Sequence, residues 1–212
     1  MDIPISRQQA EKAIQWLKEN FAPEMTTGVT GSAFTIDHLC GIACQESAYV
    51  WEDWLGVHST ETILAACVLD ASGDVPGKSR SVFPKNTAAF REAYGPAFTD
   101  LLIEEANKMR KLRGMPPKKW VYKGYGIFQY DLQFVKKDQD FFEKKQWYEF
   151  DACMSRAVGE LRGTWERVDK KYRNKPVSEK LRLAIKAYNG SGAAAEEYAE
   201  NVLFYAQVAS NI

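Results

Sequence analysis

Hydrophobic residues recur every three or four positions along most of this chain, which is the spacing of one face of an α-helix. Ser6 followed by Gln9 matches the capping-box pattern and predicts a first helix over 7–20. Thr35 is the expected N-cap of a helix over 36–50, and Ser59 or Thr60 is the expected N-cap of the next one, in STETILAACVLD (59–70). The same spacing predicts further helices over 100–113 (capped by Thr99), 131–144, 149–172, 178–188 and 192–210.

Strand-like alternation is almost lacking. Only VYKGYGIFQY, residues 121–130, has room for a short strand. The segments 22–34, 72–86 and 114–125 are rich in Gly, Pro, Ser and Thr, and we expect them to be loops. No repeat or linker divides the chain. The pattern predicts one mainly α domain over 1–212, with at most a small β element.

The composition is ordinary for a globular protein, with 45% hydrophobic and 26% charged residues. No run of 18 uncharged apolar residues occurs, so we expect no membrane span. The N-terminus has neither a basic start nor an apolar core, so no signal peptide is recognisable. The chain would therefore stay inside the cell, leave by a route that needs no such signal, or have lost a leader.

The formal net charge is zero, which gives no reason to expect a nucleic-acid partner. The charge is nevertheless uneven, because residues 1–107 carry 7 Lys/Arg against 15 Asp/Glu. The basic excess of the remainder is densest in 108–124, which holds seven Lys/Arg. Two interpretations of this segment stay open: contact with an anionic polymer, or a solvated helix end and loop.

The cysteines and histidines do not form a metal-binding pattern. Neither C-x-x-C nor a paired Cys/His spacing typical of zinc occurs, so the sequence implies no metal and no cofactor. Two interpretations of the cysteines remain: small core residues, or a disulfide among them. The four are Cys40, Cys44, Cys67 and Cys153.

One carboxylate interrupts the apolar face of the helix expected over 36–50. At 100° per residue, Glu46 falls in the middle of a stripe made by Leu39, Ile42, Ala43 and Val50. A carboxyl group without a partner in such a place tends to keep its proton. A protonated carboxyl is what a glycosidic oxygen needs from a general acid. Glu46 is thus a candidate catalytic acid; the alternatives are a structural glutamate paired with arginine, or one exposed by a bend.

Three segments strengthen that candidate. Residues 36–49 form an apolar helix that ends in Glu46-Ser47 and is followed closely by an aromatic residue. Residues 126–131 read GIFQYD, and residues 187–192 read AYNGSG. In this order, they resemble the catalytic helix, the Gly-Leu-Met-Gln segment and the Ala-Tyr-Asn-Ala-Gly segment of soluble lytic transglycosylases and goose-type lysozymes.

The resemblance implies a lysozyme-like fold with helices around a glycan-binding cleft and Glu46 as its catalytic residue. It also implies that the Tyr188 hydroxyl approaches the catalytic carboxyl, that Ser47 and Asn189 lie near the substrate, and that Tyr198 corresponds to a later family tyrosine. For Ser47, Tyr188 and Asn189 the alternatives are a helix-end hydroxyl, a core phenol and a helix cap.

The second segment also has its own chemistry. The Gln129 amide can both donate to and accept from a sugar hydroxyl or acetamide. Tyr125 and Phe128 beside it are either sugar-stacking surfaces or core residues. The 83-residue gap between Glu46 and Gln129 is longer than in the simplest family members. The resulting insertion, about 56–122, would shape the cleft or dock a protein partner that the sequence does not identify.

The resemblance leaves two reactions open. A lytic transglycosylase uses one glutamate twice, first as acid and then as base, whereas a goose-type lysozyme activates water with an additional carboxylate. The candidates for that second carboxylate are Asp70, Asp74 and Asp131. Asp131 follows the Gln129 segment directly, so we expect it nearest to the cleft, although it is equally suited to cap the next helix.

The expected function is cleavage of peptidoglycan strands between N-acetylmuramic acid and N-acetylglucosamine, with the cell wall, periplasmic or extracellular, as the place of action. One alternative is a lysozyme- or chitinase-type hydrolase of N-acetylglucosamine polymers. The other is a non-catalytic glycan-binding module.

Overall fold

Helices make up most of the regular structure, and a small antiparallel sheet makes up the rest, so the prediction of a mainly α fold is confirmed. The computed structural model describes residues 2–71 and 73–212. The chain divides into two units, residues 1–55 with 154–212 and residues 56–153. The second unit begins where the insertion was expected to begin. The single domain with an insertion over 56–122 stays a prediction.

The elements follow one another in this order: α1 (Arg7–Val29), α2 (Ile36–Ala43), α3 (Tyr49–Trp51), α4 (Thr60–Ala65), β1 (Val68–Ala71), α5 (Thr87–Leu112), β2 (Tyr122–Tyr125), β3 (Tyr130–Asp131), α6 (Gln139–Glu143), α7 (Phe150–Lys171), α8 (Val177–Asn189) and α9 (Ala193–Ala209). A π-helical turn, Cys44–Ala48, joins α2 to α3. Short 3₁₀ turns cover Glu52–Trp54, Leu132–Lys136 and Gln146–Tyr148.

In the first unit, α2 packs closely against α9 because a glycine faces the contact. A Cβ atom on Gly41 would lie 2.5 Å from the carbonyl oxygen of Val202, a distance that side-chain carbons do not tolerate. Leu39 and Ile42 beside it are fully buried. We call α2, the π-helical turn and α3 together the 36–51 helical segment. The close approach of α2 and α9 brings the end of this segment alongside α9.

The first helix is longer than the sequence predicted. It begins as expected after Ser6, whose capping box with Gln9 is present, but it continues to Val29 through Pro23. The loop prediction for 22–34 was therefore wrong over 22–29. Phe21 and Met25 are buried on the same face of α1, and their burial offsets the cost of an internal proline.

In the second unit, the sheet has the order β1-β2-β3 with antiparallel neighbours. Leu69 lies opposite Gly124, and Tyr125 lies opposite Tyr130. The short strand expected in 121–130 is confirmed. The helical prediction for residues 68–70 was wrong: α4 ends at Ala65, and the next residues pair with β2. This pairing joins residues more than 50 positions apart, which local propensity does not register.

The long helix α5 also begins earlier than predicted. Asn86 caps it by accepting a hydrogen bond from the Ala89 amide, so Thr99 is not the N-cap. The helix is broken at Gly95, whose φ of 79° is followed by Pro96. Thr99 instead donates from its hydroxyl to the Gly95 carbonyl at 2.6 Å.

Within residues 2–71 and 73–212, no helix is long and apolar enough to cross a membrane.

Candidate active site

Glu46 lies in the π-helical turn that joins α2 to α3. Such turns are rare and widen a helix locally, and they occur frequently at functional sites. The neighbouring residues Cys44, Ser47 and Ala48 are buried, whereas Glu46 is half-buried. The carboxylate thus sits at the edge of the core, with part of its surface open to solvent.

Tyr198 on α9 donates a hydrogen bond from its hydroxyl to Oε1 of Glu46 at 2.6 Å. Burial raises the pKa of Tyr198 well above its ordinary value, and the negative charge of Glu46 raises it further. The hydroxyl therefore stays protonated throughout the physiological range and remains a donor to the carboxylate. The assignment of Tyr198 as the counterpart of a family tyrosine stays a prediction.

A depression of about 280 Å³ surrounds this pair. Three carboxylates and four polar neutral side chains line it, and no Lys or Arg is among the described lining residues. The lining consists of Asp2, Gln45, Glu46, Asn189, Ala194, Glu197, Tyr198 and Asn201. Glu197 accepts a hydrogen bond from the Asp2 amide at 3.1 Å. The depression can therefore receive a polar, uncharged or cationic ligand better than an anion.

Two acceptor atoms beside the depression have no hydrogen-bond partner among the described residues. They are Oε1 of Gln45 and Oδ1 of Asn201. Asn201 is almost fully buried, and its amide nitrogen donates to the Asp2 carbonyl. Buried amide oxygens are normally satisfied, so these two are suited to receive the N–H or O–H groups of a water or a ligand.

Sequence reasoning did not select Asp2, Gln45, Glu197 or Asn201. A helical signal for part of this set was available, because Ala194, Tyr198 and Asn201 recur at i, i+4 and i+7 on one face of α9. Glu197 precedes Tyr198 directly in the chain, so selecting Tyr198 from the sequence would have drawn attention to Glu197 as well.

Tyr188 and Asn189 end α8, as expected from the sequence. Gly190 follows with a φ of 123°, and its amide donates to the Lys186 carbonyl to close the helix. Asn189 is exposed and lines the depression. The Tyr188 ring is half-buried and lies nearly parallel to the Tyr198 ring, with 6.3 Å between their centroids. The residues of the third sequence segment and the π-helical turn that carries Glu46 thus meet around Tyr198.

Ser47 lies in a different environment from Glu46. Its side chain is fully buried, and its Oγ accepts a hydrogen bond from the indole nitrogen of Trp51 at 2.9 Å. This contact braces the helix after the π-helical turn. A substrate-binding role for Ser47 stays a prediction that the hydrogen bond does not support.

The Gln129 segment forms the turn between β2 and β3 in the second unit. Gln129 has a φ of 53°, and the nitrogen of its side-chain amide, Nε2, donates to the Gly126 and Cys67 carbonyls. Tyr125 is fully buried and packs edge-on against Phe142 and Trp147. These contacts use the Gln129 donor within the turn and place Tyr125 in the core.

Phe128 is also buried, 2% exposed, and its ring packs edge-on against Phe150. The core alternative therefore describes the surroundings of both aromatic residues in this turn. Substrate roles for Tyr125, Phe128 and Gln129 stay predictions, and we do not include these residues in the proposed site.

The three aspartates considered as a second carboxylate are each engaged within the second unit. Asp131 pairs with the Arg80 guanidinium through both oxygens and caps the following 3₁₀ turn by accepting from the Gln133 amide. Asp74 accepts from the amide and the hydroxyl of Thr87. Asp70 is exposed and lies 3.5 Å from the Lys123 ammonium. The capping interpretation of Asp131 is confirmed; a catalytic role for any of the three stays a prediction.

A further buried carboxylate, which the sequence did not single out, lies on α5. Glu105 is 1% exposed and contacts the ammonium groups of Lys108 and Lys145 at 2.6 and 2.9 Å. The Tyr148 hydroxyl donates to it at 2.5 Å. Burial raises the pKa of Glu105, but the hydrogen bonds from these three side chains outweigh burial and hold the pKa below its ordinary value. Glu105 is thus an ionised structural group.

All four cysteines are buried, and each is a thiol outside any disulfide. Burial raises the pKa of the Cys40 thiol to about 12 and that of Cys44 well above its ordinary value. The core interpretation of the cysteines describes this arrangement. Over the described parts of the chain, no group of three or more His, Cys, Asp or Glu could hold a metal ion.

No protein-family model, no curated protein and no solved structure matches this chain. The lysozyme-like family therefore stays a prediction carried by the three sequence segments. The geometry around Glu46 and Tyr198 is a separate observation made on the chain itself.

Proposed function

We propose that this chain cleaves peptidoglycan strands between N-acetylmuramic acid and N-acetylglucosamine, as a lytic transglycosylase. In this proposal Glu46 protonates the glycosidic oxygen and then takes a proton from the C6 hydroxyl of the muramic acid. The acetamide of the substrate stabilises the cation-like centre between the two steps. The products are a free N-acetylglucosamine end and a 1,6-anhydro muramic acid end, so no water is consumed.

The observation that carries the proposal is the hydrogen bond between Tyr198 and Glu46 at the edge of an open depression. A structural glutamate at this position would be expected to have its surface covered. Glu46 instead has one oxygen positioned by a buried hydroxyl and shares the depression with Asn189 from the third motif. A positioned carboxyl next to ligand-sized space is what acid catalysis requires.

Tyr198 is suited to act on the charge that Glu46 gains during the reaction. When Glu46 gives its proton to the leaving oxygen, the carboxylate that forms receives the hydrogen bond from Tyr198. A hydrogen bond to a charged group is stronger than one to a neutral group. The tyrosine would thus lower the barrier of the first step, and it would hold the carboxylate in place for the second.

The polar groups around the pair fit an N-acetylated sugar. Asn189 offers donors and acceptors at the surface of the depression, and Gln45 and Asn201 bring unpartnered amide oxygens. Such groups can bind ring hydroxyls and acetamide N–H groups. These features support a glycan substrate, and the resemblance of the three segments supports peptidoglycan among glycans.

The decisive test compares Glu46→Gln with Glu200→Gln on purified peptidoglycan. Glu200 is exposed on the same helix as Tyr198 and does not line the depression. We expect Glu46→Gln to abolish turbidity clearing and Glu200→Gln to retain it. Circular dichroism verifies that both variants are folded. Full clearing by a folded Glu46→Gln protein would contradict the proposal.

Mass spectrometry of the soluble products distinguishes the two reactions. A transglycosylase releases disaccharides that are lighter by one water than the products of lysozyme on the same material. Products of the same mass as lysozyme products would show that the reaction is hydrolysis instead of transglycosylation. Glu46 would still be the acid in that reaction.

A hydrolase of neutral N-acetylglucosamine polymers is a second candidate, favoured by the acidic lining of the depression. Asp2, Glu46 and Glu197 line it without a described lysine or arginine, so a neutral glycan would enter more easily than one bearing carboxylates. In that case Glu197 would be the base that activates water. Release of products from chitin oligomers but not from peptidoglycan, abolished by Glu46→Gln, would establish this candidate.

A further inference from the structure

The second unit contains a cavity of about 650 Å³, and no residue of the proposed active site lines it. Its volume is within the range of about 300–1,000 Å³ found for small-molecule sites. It is lined by the loop before α4, by α4 itself, by the C-terminal end of α5 and by one tyrosine; the residues are His58, Glu61, Thr62, Ala65, Ala66, Lys108, Lys111, Leu112 and Tyr148.

The lining separates into an aliphatic part and a polar part. Ala65, Ala66 and Leu112 supply hydrocarbon surface, and Thr62 and Tyr148 supply hydroxyl groups. Lys108 and Lys111 lie one helical turn apart at the end of α5, so both ammonium groups can reach a ligand at the same edge of the cavity. A ligand that fits must therefore combine negative charge with an aliphatic portion.

Glu105 fixes the polar part in place. This buried carboxylate holds Lys108 and Tyr148, which both line the cavity, and it also holds Lys145. Two ammonium groups meet one carboxylate there, so the cluster keeps an excess of positive charge. Lys111 adds a further cation, and Glu61 offsets one of these charges. The edge of the cavity remains positive, with part of its polar surface preorganised.

Several other cations of the basic segment 108–124 use their charged groups in contacts within the described chain, whereas Lys111 does not. Arg110 donates to the Pro116 carbonyl and the Tyr122 hydroxyl, and Lys118 lies over the Trp120 ring. Lys123 pairs with Asp70. Lys111 is exposed and lines the cavity, and its ammonium group makes no hydrogen bond or ion pair with a described residue.

From this arrangement we propose that the cavity binds an organic carboxylate with an aliphatic portion, of the size of a short acidic peptide. A phosphate group is a poorer fit, because bidentate phosphate binding uses the guanidinium fork of arginine, and no arginine is among the described residues that line the cavity. The cavity presents lysines, hydroxyls and hydrocarbon instead. The proposal concerns only residues 56–153, so it stands whether or not Glu46 cleaves glycans.

The test is titration of the full chain with N-acetyl-Ala-Glu, followed by NMR of the alanine and leucine methyl groups. We expect saturable shifts at Ala65, Ala66 and Leu112, and weaker binding at high salt. Lys111→Gln should raise the dissociation constant about fivefold, which is the size expected for the loss of one exposed charge pair. Lys119→Gln is the matched control, since Lys119 is exposed in the same basic segment and does not line the cavity.

The diamide of the same peptide and inorganic phosphate complete the experiment. Equal binding of the diamide would overturn the proposal, because the lysines would then contribute nothing. Tighter binding of phosphate, shifts outside the cavity, or an unchanged dissociation constant in Lys111→Gln would overturn it as well. Lys108→Gln is unsuitable as the main variant because Lys108 also stabilises Glu105.

Discussion

Glu46 in the first unit and Glu105 in the second are both glutamates placed within an apolar stripe of a helix. Each accepts a hydrogen bond from a tyrosine hydroxyl, Glu46 from Tyr198 and Glu105 from Tyr148. Their surroundings nevertheless differ. Glu105 is almost fully covered and is held by two lysines, whereas Glu46 is half-buried beside an open depression without described lysine or arginine in its lining.

The difference shows what a stripe of this kind does and does not indicate. The stripe indicates that the carboxylate is removed from bulk water on folding. It does not indicate which contacts offset the free-energy cost of that desolvation. At Glu105 the offset comes from ammonium groups, which keep the carboxylate ionised and make it structural. At Glu46 the surface that remains open is what makes a chemical role possible.

The largest effect that separates the two glutamates should be on catalysis. Glu46→Gln should lower the rate of peptidoglycan clearing by at least about 100-fold, because a general acid contributes 10²–10⁴. Its free energy of unfolding should change by less than about 1 kcal/mol, since a half-exposed side chain keeps its shape in glutamine. Clearing assays and urea unfolding measure both quantities. A large loss of stability with retained clearing would reverse the comparison.

Glu105→Gln should show the opposite behaviour. We expect its free energy of unfolding to fall by about 2–3 kcal/mol, somewhat less than for breaking a fully buried ion pair because Lys108 is half exposed. Urea unfolding monitored by tryptophan fluorescence measures this. Glu104→Gln is the control, since Glu104 is the exposed neighbour on the same helix. An unchanged free energy of unfolding in Glu105→Gln would show that the ion pairs of Glu105 with the two lysines do not stabilise the fold.

The tyrosine partner of Glu46 gives a third, smaller effect. Tyr198→Phe should reduce clearing by about tenfold, as expected from the loss of a hydrogen bond to a charged group. Tyr205→Phe is a matched control on the same helix, because its hydroxyl bonds only to the backbone of Ile5 in the described chain. That control should lose stability and keep its specific activity. Equal losses of activity in both variants would reduce Tyr198 to a packing residue.

The smallest effect is the dependence of stability on pH. Since the pKa of Glu105 is lowered in the folded chain, its stabilising contribution is complete above the ordinary glutamate pKa of about 4.3 and is lost as the pH falls through the lower, folded value. The difference in unfolding free energy between wild type and Glu105→Gln should thus be constant near neutrality and shrink below about pH 4. A difference that grows on acidification would contradict the ionised state.

Much of the helical framework was predictable because it rests on local signals. The periodicity located α7, α8 and α9 to within about two residues, and the caps at Ser6, Ser59 and Gly190 lie where short-range chemistry places them. Glu46, Tyr188 and Asn189 were accessible for the same reason, as each is defined by its position on a single helix.

The remainder depended on contacts between distant residues. The pairing of β1 with β2 and the contacts of Glu105 with Lys145 and Tyr148 join residues 40 or more positions apart. Periodicity alone also gave no reason to separate Glu46 from Glu105. The lining residues Gln45, Glu197 and Asn201 became visible only once α9 was placed against the 36–51 helical segment.

The π-helical turn gives the segment from Cys44 to Trp51 a tolerance for one particular change in length during evolution. Such a turn holds one residue more than the α-helical turn it replaces, so removing one residue from Cys44–Ala48 would restore a regular helix. Val50 and Trp51, which follow the turn and are buried, would keep their side of the helix because the wider turn absorbs the extra position. A lineage that loses a single codon there would therefore keep its core, and only the residues inside the turn, Glu46 among them, would move around the axis.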